Sequence, residues 1–131
     1  MELPLMIITL LKLAMLSKSK ISIRFFDDRE VRAVWDDANA KWWFSVLDII
    51  AVLRDQDDYK KNRNYWKYLK AKLKKEENEL GSVTIQLKLL ANDGKHYNTD
   101  MLDYNGIIAL GKTFPSKIAN RFIENILSNS L

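Results

Sequence analysis

The stretch ISIRFFDDREVRAVWDDANAKWWFSVLDIIAVL, residues 21–53, decides the fold. Ile21, Ile23 and Phe25 alternate with polar or charged residues, and Val31, Ala33 and Trp35 alternate again. A repeat of two marks a half-buried strand. Asp27-Asp28 and residues 36–39 supply turns between these runs, and residues 41–44 (KWWF) make a third short strand. Three strands joined by tight turns read as an antiparallel meander. The period then changes. Ser45 stands three residues before Asp48, a capping-box-like start, and Val46, Ile49, Ile50 and Leu53 follow at helical spacing. This spacing predicts a helix over residues 46–54.

Beyond it, a second helix is predicted over residues 59–77, ended by Gly81. Val83, Ile85, Leu87 and Leu89 alternate as a strand, Asn92-Asp93-Gly94 is a hairpin turn, and residues 95–99 return. Asp103 is placed to cap a short helix through Leu110, with Gly111 as its stop. Pro115-Ser116 opens a last helix carrying Ile118, Phe122, Ile123 and Ile126 on one face. In the other direction, residues 3–16 (LPLMIITLLKLAML) predict an extra apolar helix, packed on the domain or on a second copy of the chain. Lys12 breaks it, and its apolar run is too short for a membrane span. Glu2 in place of a basic start, with no small-residue cleavage site after the run, argues against a secretory signal. A natural start at Met15 would leave residues 1–14 as an upstream extension. Residues 17–20 (SKSK) form a polar linker, so the chain divides into a segment, 1–20, and one domain, 21–131. The expected class is α+β: an antiparallel sheet, meander plus hairpin, with about four helices and the extra N-terminal one.

The composition narrows the chemistry. The 131 residues include no cysteine, which excludes disulfides, cysteine-ligated zinc and thiol catalysis. His96 is the only histidine and reads as structural or surface. The pairs Asp27-Asp28 and Asp36-Asp37 sit in turns, and Asp57-Asp58 precedes a helix, so each has a backbone reason to be there. Ser45 reads as a cap, and the four glycines form no phosphate-cradling loop. No metal, cofactor or catalytic residue is expected, and the protein is not expected to be an enzyme. Adjacent Trp42 and Trp43 must face opposite sides of a strand, so one of them calls for a covering element.

Net charge is +4, but its distribution is uneven. Residues 54–75 carry nine basic and three acidic side chains, a local +6, which leaves −2 for the rest. On a helical projection Tyr59, Trp66, Leu69 and Leu73 form an apolar stripe with Tyr65 beside it. Lys60, Arg63, Lys67, Lys70 and Lys74 form the neighbouring stripe, and Lys61, Tyr68, Lys72 and Lys75 lie beyond it. No acid stands between Lys60 and Lys75. Solvated helices usually alternate charge signs to gain i,i+4 pairs. An unrelieved cationic stripe instead fits a polyanion. The expected phosphate contacts are Lys60, Lys61, Arg63, Lys67, Lys70 and Lys74. Asn62, Asn64 and Tyr68 are candidates for base contacts.

Four stretches in order resemble the Bro-N domain family of phage antirepressors, baculovirus repeated-ORF proteins and DNA-damage-inducible protein D. They are residues 23–53, quoted above; NYWKYLKAKLKKEENEL (64–80); QLKLLANDGKHYNTDMLD (86–103); and NGIIALGKTFPSKIANRFIENI (105–126). The resemblance covers about residues 21–126. It implies an α+β DNA-binding module of a phage or prophage-type regulator, cytoplasmic and nucleoid-associated, often joined to a C-terminal effector domain. Here the chain stops at Leu131, and the family's tryptophan soon after the position of Phe122 is missing, so a free-standing or truncated member is expected. DNA, duplex rather than single-stranded, is the expected partner, and no membrane is. The alternative is an interaction module that binds a repressor protein or pairs with itself, using an exposed tryptophan and the apolar N-terminus.

Overall fold

The computed structural model describes residues 21–26, 28–81 and 83–129. The predicted N-terminal helix lies outside them. Strands β1 (Ile21–Phe26), β2 (Arg29–Asp36) and β3 (Lys41–Ser45) form the meander, and β4 (Ile85–Leu90) and β5 (His96–Leu102) form the hairpin. The two halves join in one five-stranded sheet, ordered β1-β2-β3-β5-β4, with every neighbouring pair antiparallel. The joint is short: Phe44 pairs with Leu102 and Ser45 with Met101. Past Ser45 the chain leaves the sheet as α1 (Val46–Arg54), so the hairpin tip projects beyond β3.

Four α-helices lie among the described residues, the number expected for the domain. α1 starts at Ser45, whose hydroxyl accepts from the Asp48 amide at 3.4 Å. It ends at Asp55, which is left-handed at φ 50°. α2 (Tyr59–Lys75) is capped by the Asp58 side chain, which accepts from the Lys61 amide. It stops two residues earlier than its pattern suggested, and not at Gly81. Glu77 takes a left-handed φ of 57°, and the Asn78 amide donates back to the Leu73 carbonyl at 2.8 Å. That closure is usually built on glycine. A short 3₁₀ turn (Glu79–Gly81) follows, and β4 begins at Ile85, not Val83.

α3 (Tyr104–Gly111) is capped by Asp103, as expected, but Gly111 is not a left-handed stop. The next residue, Lys112, is still right-handed. A Cβ at Gly111 would lie 2.8 Å from the Phe122 ring, so this glycine lets α4 (Ser116–Asn129) approach. On α4, Phe122 and Ile126 are buried, and Ile118, one turn earlier on the same side, is 39% exposed.

The helices pack on the sheet face that carries Val31, Ala33, Phe44 and Leu102. Ile49, Ile50, Leu53, Trp66, Leu69, Leu73, Ile107, Leu110, Phe122 and Ile126 complete that core. Trp42 packs against it, edge-on to Trp35 with ring centroids 5.3 Å apart. Trp43 points the other way, as alternation requires, into a second cluster with Leu89 and Met101. Its indole donates to Asp36 at 3.0 Å.

Candidate nucleic-acid interface

The α2 helix is held to the domain by Asn62, Trp66, Leu69 and Leu73, all buried. They fall within about 60° of one another around the axis, at 100° per residue. Tyr59, which the apolar pattern placed in this stripe, is instead 54% exposed. Asn62 takes the inward position. Its amide donates to the Gln56 carbonyl at 2.8 Å, which ties the α1–α2 loop to the helix. At 2% exposure Asn62 is withdrawn from any base contact, so that expectation is corrected. Asn64 and Tyr68 do remain at the surface.

The cationic side chains divide in two. Lys60, Lys61, Arg63, Lys67 and Lys74 are exposed, and among the described residues no carboxylate pairs with them. Lys70 is different. It stands only about 40° from Trp66 around the helix and turns toward the hairpin, 3.0 Å from Asp100. The Trp66 indole donates to the same carboxylate oxygen at 2.7 Å, and Gln86 of β4 donates to the other at 3.0 Å. Burial pushes the Asp100 carboxyl up, but the bonds from Trp66, Gln86 and Lys70 outweigh it and hold its pKa below the ordinary value. Lys70 is therefore a clamp to the hairpin as well as part of the stripe.

The acids that precede α2 are also committed. Asp58 caps the helix, while Asp55 and Asp57 both pair with Arg29 of β2. Asp48 is engaged by Arg32 at 2.8 Å, and the same guanidinium reaches the Leu90 carbonyl at 3.1 Å. Arg32 thus bridges β2 to the projecting hairpin across the gap that β3 leaves. None of these pairings is visible in local patterns, because each joins elements far apart in the chain.

The hairpin supplies residues that the sequence reading passed over. Lys88 pairs with Asn98 and Gln86 with Asp100, so all four stand on the face that α2 approaches. Lys88 and Asn98 are exposed there. The alternation of β4 and β5 held this signal, but nothing local says which face a helix will flank. At the tip, Tyr59 and Arg63 of α2 line a cleft with Ala91, Asn92, Asp93 and Tyr97. The Arg63 guanidinium lies over the Tyr59 ring, 5.9 Å from its centroid.

Chemically, the surface offers ammonium and guanidinium groups to phosphates, with aromatic rings beside them. Among the described residues, no group of three histidine, aspartate or glutamate side chains is placed to hold a metal ion. No helix among them is long and apolar enough to cross a membrane. No protein-family model matches the chain, and no curated protein or solved structure matches it.

Proposed function

We propose that this protein is a DNA-binding module of an antirepressor-like regulator, working beside the nucleoid and contacting phosphates through the outer face of α2. One observation carries the reading. Lys60, Lys61, Arg63, Lys67 and Lys74 project from a helix anchored by its opposite face, and no carboxylate pairs with them among the described residues. Like charges at i,i+3 and i,i+4 cost about 0.2–0.5 kcal/mol per pair. A polyanion turns that cost into binding energy by releasing its condensed counterions.

The rival reading, a module that binds a repressor or pairs with itself, rests on an exposed tryptophan and on the apolar N-terminus; the N-terminus lies outside the described residues, and no tryptophan among them is fully exposed. Trp43 and Trp66 are buried, and Trp35 and Trp42 are half-buried.

The test is fluorescence anisotropy of labelled DNA across a salt series. Five neutralised phosphates predict a slope of log K against log salt of about −4.5 on duplex and about −3.5 on single strands. The triple variant Lys60→Glu, Arg63→Glu, Lys67→Glu should lose binding and keep its circular dichroism. Wild-type affinity in that variant would refute the assignment.

A further inference from the structure

We infer that the cleft between the first turns of α2 and the hairpin tip holds one unpaired nucleobase, giving the protein a preference for single-stranded or locally melted DNA. This rests on the nucleic-acid reading above and deepens it. The cleft measures about 390 Å³ and is lined by Tyr59, Arg63, Ala91, Asn92, Asp93 and Tyr97.

Four features point to a base. First, the rings of Tyr59 and Tyr97 are 54% and 46% exposed, though both are large enough to be core residues. Two accessible rings at one cleft make a platform on which any base can stack. Second, the rings are held. The Tyr97 hydroxyl donates to Asp93, and Arg63 lies over Tyr59. Third, the cleft floor is unsuited to phosphate. The Asp93 carboxylate stands in it, accepting from the Lys95 amide at 2.8 Å as well as from Tyr97. A neutral planar group is tolerated there where an anion is repelled. Fourth, Asn92 lines the cleft, and an asparagine side chain carries both a donor and an acceptor for a base edge.

The cations lie at the right place for the rest of the nucleotide. Arg63 is part of the cleft and Lys60 and Lys67 flank it along the same stripe, so the backbone attached to a stacked base would run onto the cationic face. The phosphate face serves single and double strands alike. The cleft discriminates between them, because a base within a duplex keeps its faces stacked on its neighbours.

The experiment compares three probes on the full chain at fixed salt. They are a 20-nucleotide single strand, the duplex of that sequence, and the same single strand with abasic sites. The wild type should prefer the intact single strand to both others. Tyr59→Ala and Tyr97→Ala should each weaken single-strand binding by at least about fivefold, leave the duplex unchanged, and leave the salt slope unchanged because stacking carries no charge. Tyr97→Phe should keep most of the affinity. Tyr59 is exposed enough that its alanine variant should fold, which a thermal melt checks. Wild-type single-strand affinity in both alanine variants overturns the cleft, as does equal loss on single strand and duplex. Loss of binding on lysine reversal with no effect of either tyrosine overturns the cleft and leaves the phosphate face standing. Absence of binding to every probe overturns both.

Discussion

Replacing Asp100 with alanine should lower stability and raise DNA affinity in the same molecule. Three donors converge on this carboxylate: the Trp66 indole at 2.7 Å, Lys70 at 3.0 Å and Gln86 at 3.0 Å. Their losses are unequal. Trp66 is 3% exposed, so its N–H would be left buried without an acceptor. An orphaned buried donor costs about 1–3 kcal/mol. Lys70 keeps 43% of its side-chain surface exposed and returns to water, losing at most about 0.5 kcal/mol of a screened pair. Gln86 is exposed and loses nothing of note. The sum is about 2 kcal/mol, which in a domain of this size lowers the melting temperature by about 6–9 °C. Affinity moves the other way. Released from Asp100, Lys70 joins the stripe and one negative charge leaves its edge. One further phosphate contact steepens the duplex salt slope by about 0.9, worth roughly fivefold at 0.15 M salt. The assays are a calorimetric melt and the anisotropy titration. A melting temperature within about 1 °C of wild type would refute the clamp. A fall in affinity would refute the role given to Lys70.

Three further outcomes follow from the same geometry. Lys67→Glu should stabilise the unbound protein by about 0.5–1 kcal/mol, since repulsions toward Arg63 and Lys70 become attractions, while weakening DNA binding; urea melts and anisotropy read the two signs. Glu77→Gly should raise stability by up to about 1 kcal/mol by relieving the left-handed backbone at the end of α2, seen as a higher urea midpoint at unchanged slope. Asp100 and Asp103 are both held below the ordinary carboxyl value although burial pushes each up: Trp66, Gln86 and Lys70 bond the first, and the Gly106 amide and Lys41 bond the second. Their contribution is therefore full above the unfolded value of about 3.9 and is lost as pH falls through the folded one. The urea midpoint should hold from pH 6 to 5 and fall below about pH 4, and Asp100→Asn should flatten that fall.

Much of the fold was legible because it is written in periods. Alternation at Val31 and Ala33 and the helical spacing of Val46, Ile49, Ile50 and Leu53 each place a run of residues on one buried face. Ser45, Asp58 and Asp103 all act as caps, where a short polar side chain meets amides the helix leaves unpaired. The errors share a cause. Gly81 and Gly111 look like helix stops, yet α2 ends at Lys75 with Glu77 taking the left-handed backbone after it, and Gly111 serves the approach of Phe122. Glycine reports that a side chain is unwelcome, but not whether backbone conformation or a neighbour excludes it. Asn62 and Tyr59 exchange their expected places because residue type is an average. One asparagine that satisfies a loop carbonyl outweighs the apolar area of a terminal tyrosine. The stripe of α2 was visible because its members are close in sequence. The role of Lys70 was not, since Asp100 lies thirty residues away.

The acids explain why the basic stripe survives folding as a field and not only as a composition. A net charge of +4 spread evenly over 131 residues would produce little local potential. Here the acidic side chains nearest the start of α2 are each engaged: Asp55 and Asp57 by Arg29, Asp58 by the helix end, Asp93 by the hairpin turn. Arg29 offsets one of its two aspartates, and Asp58 and Asp93, held by neutral donors, keep their charge, but no acid stands within the helical run from Lys60 to Lys75. Among the described residues Glu30 of β2, and Glu76 and Glu77 after Lys75, form no ion pair. In the N-terminal half of α2 the helix dipole adds to the field of Lys60, Lys61 and Arg63. That half also abuts the hairpin cleft with its two exposed tyrosines. The end of the helix that draws in the backbone is thus the end that can hold a base.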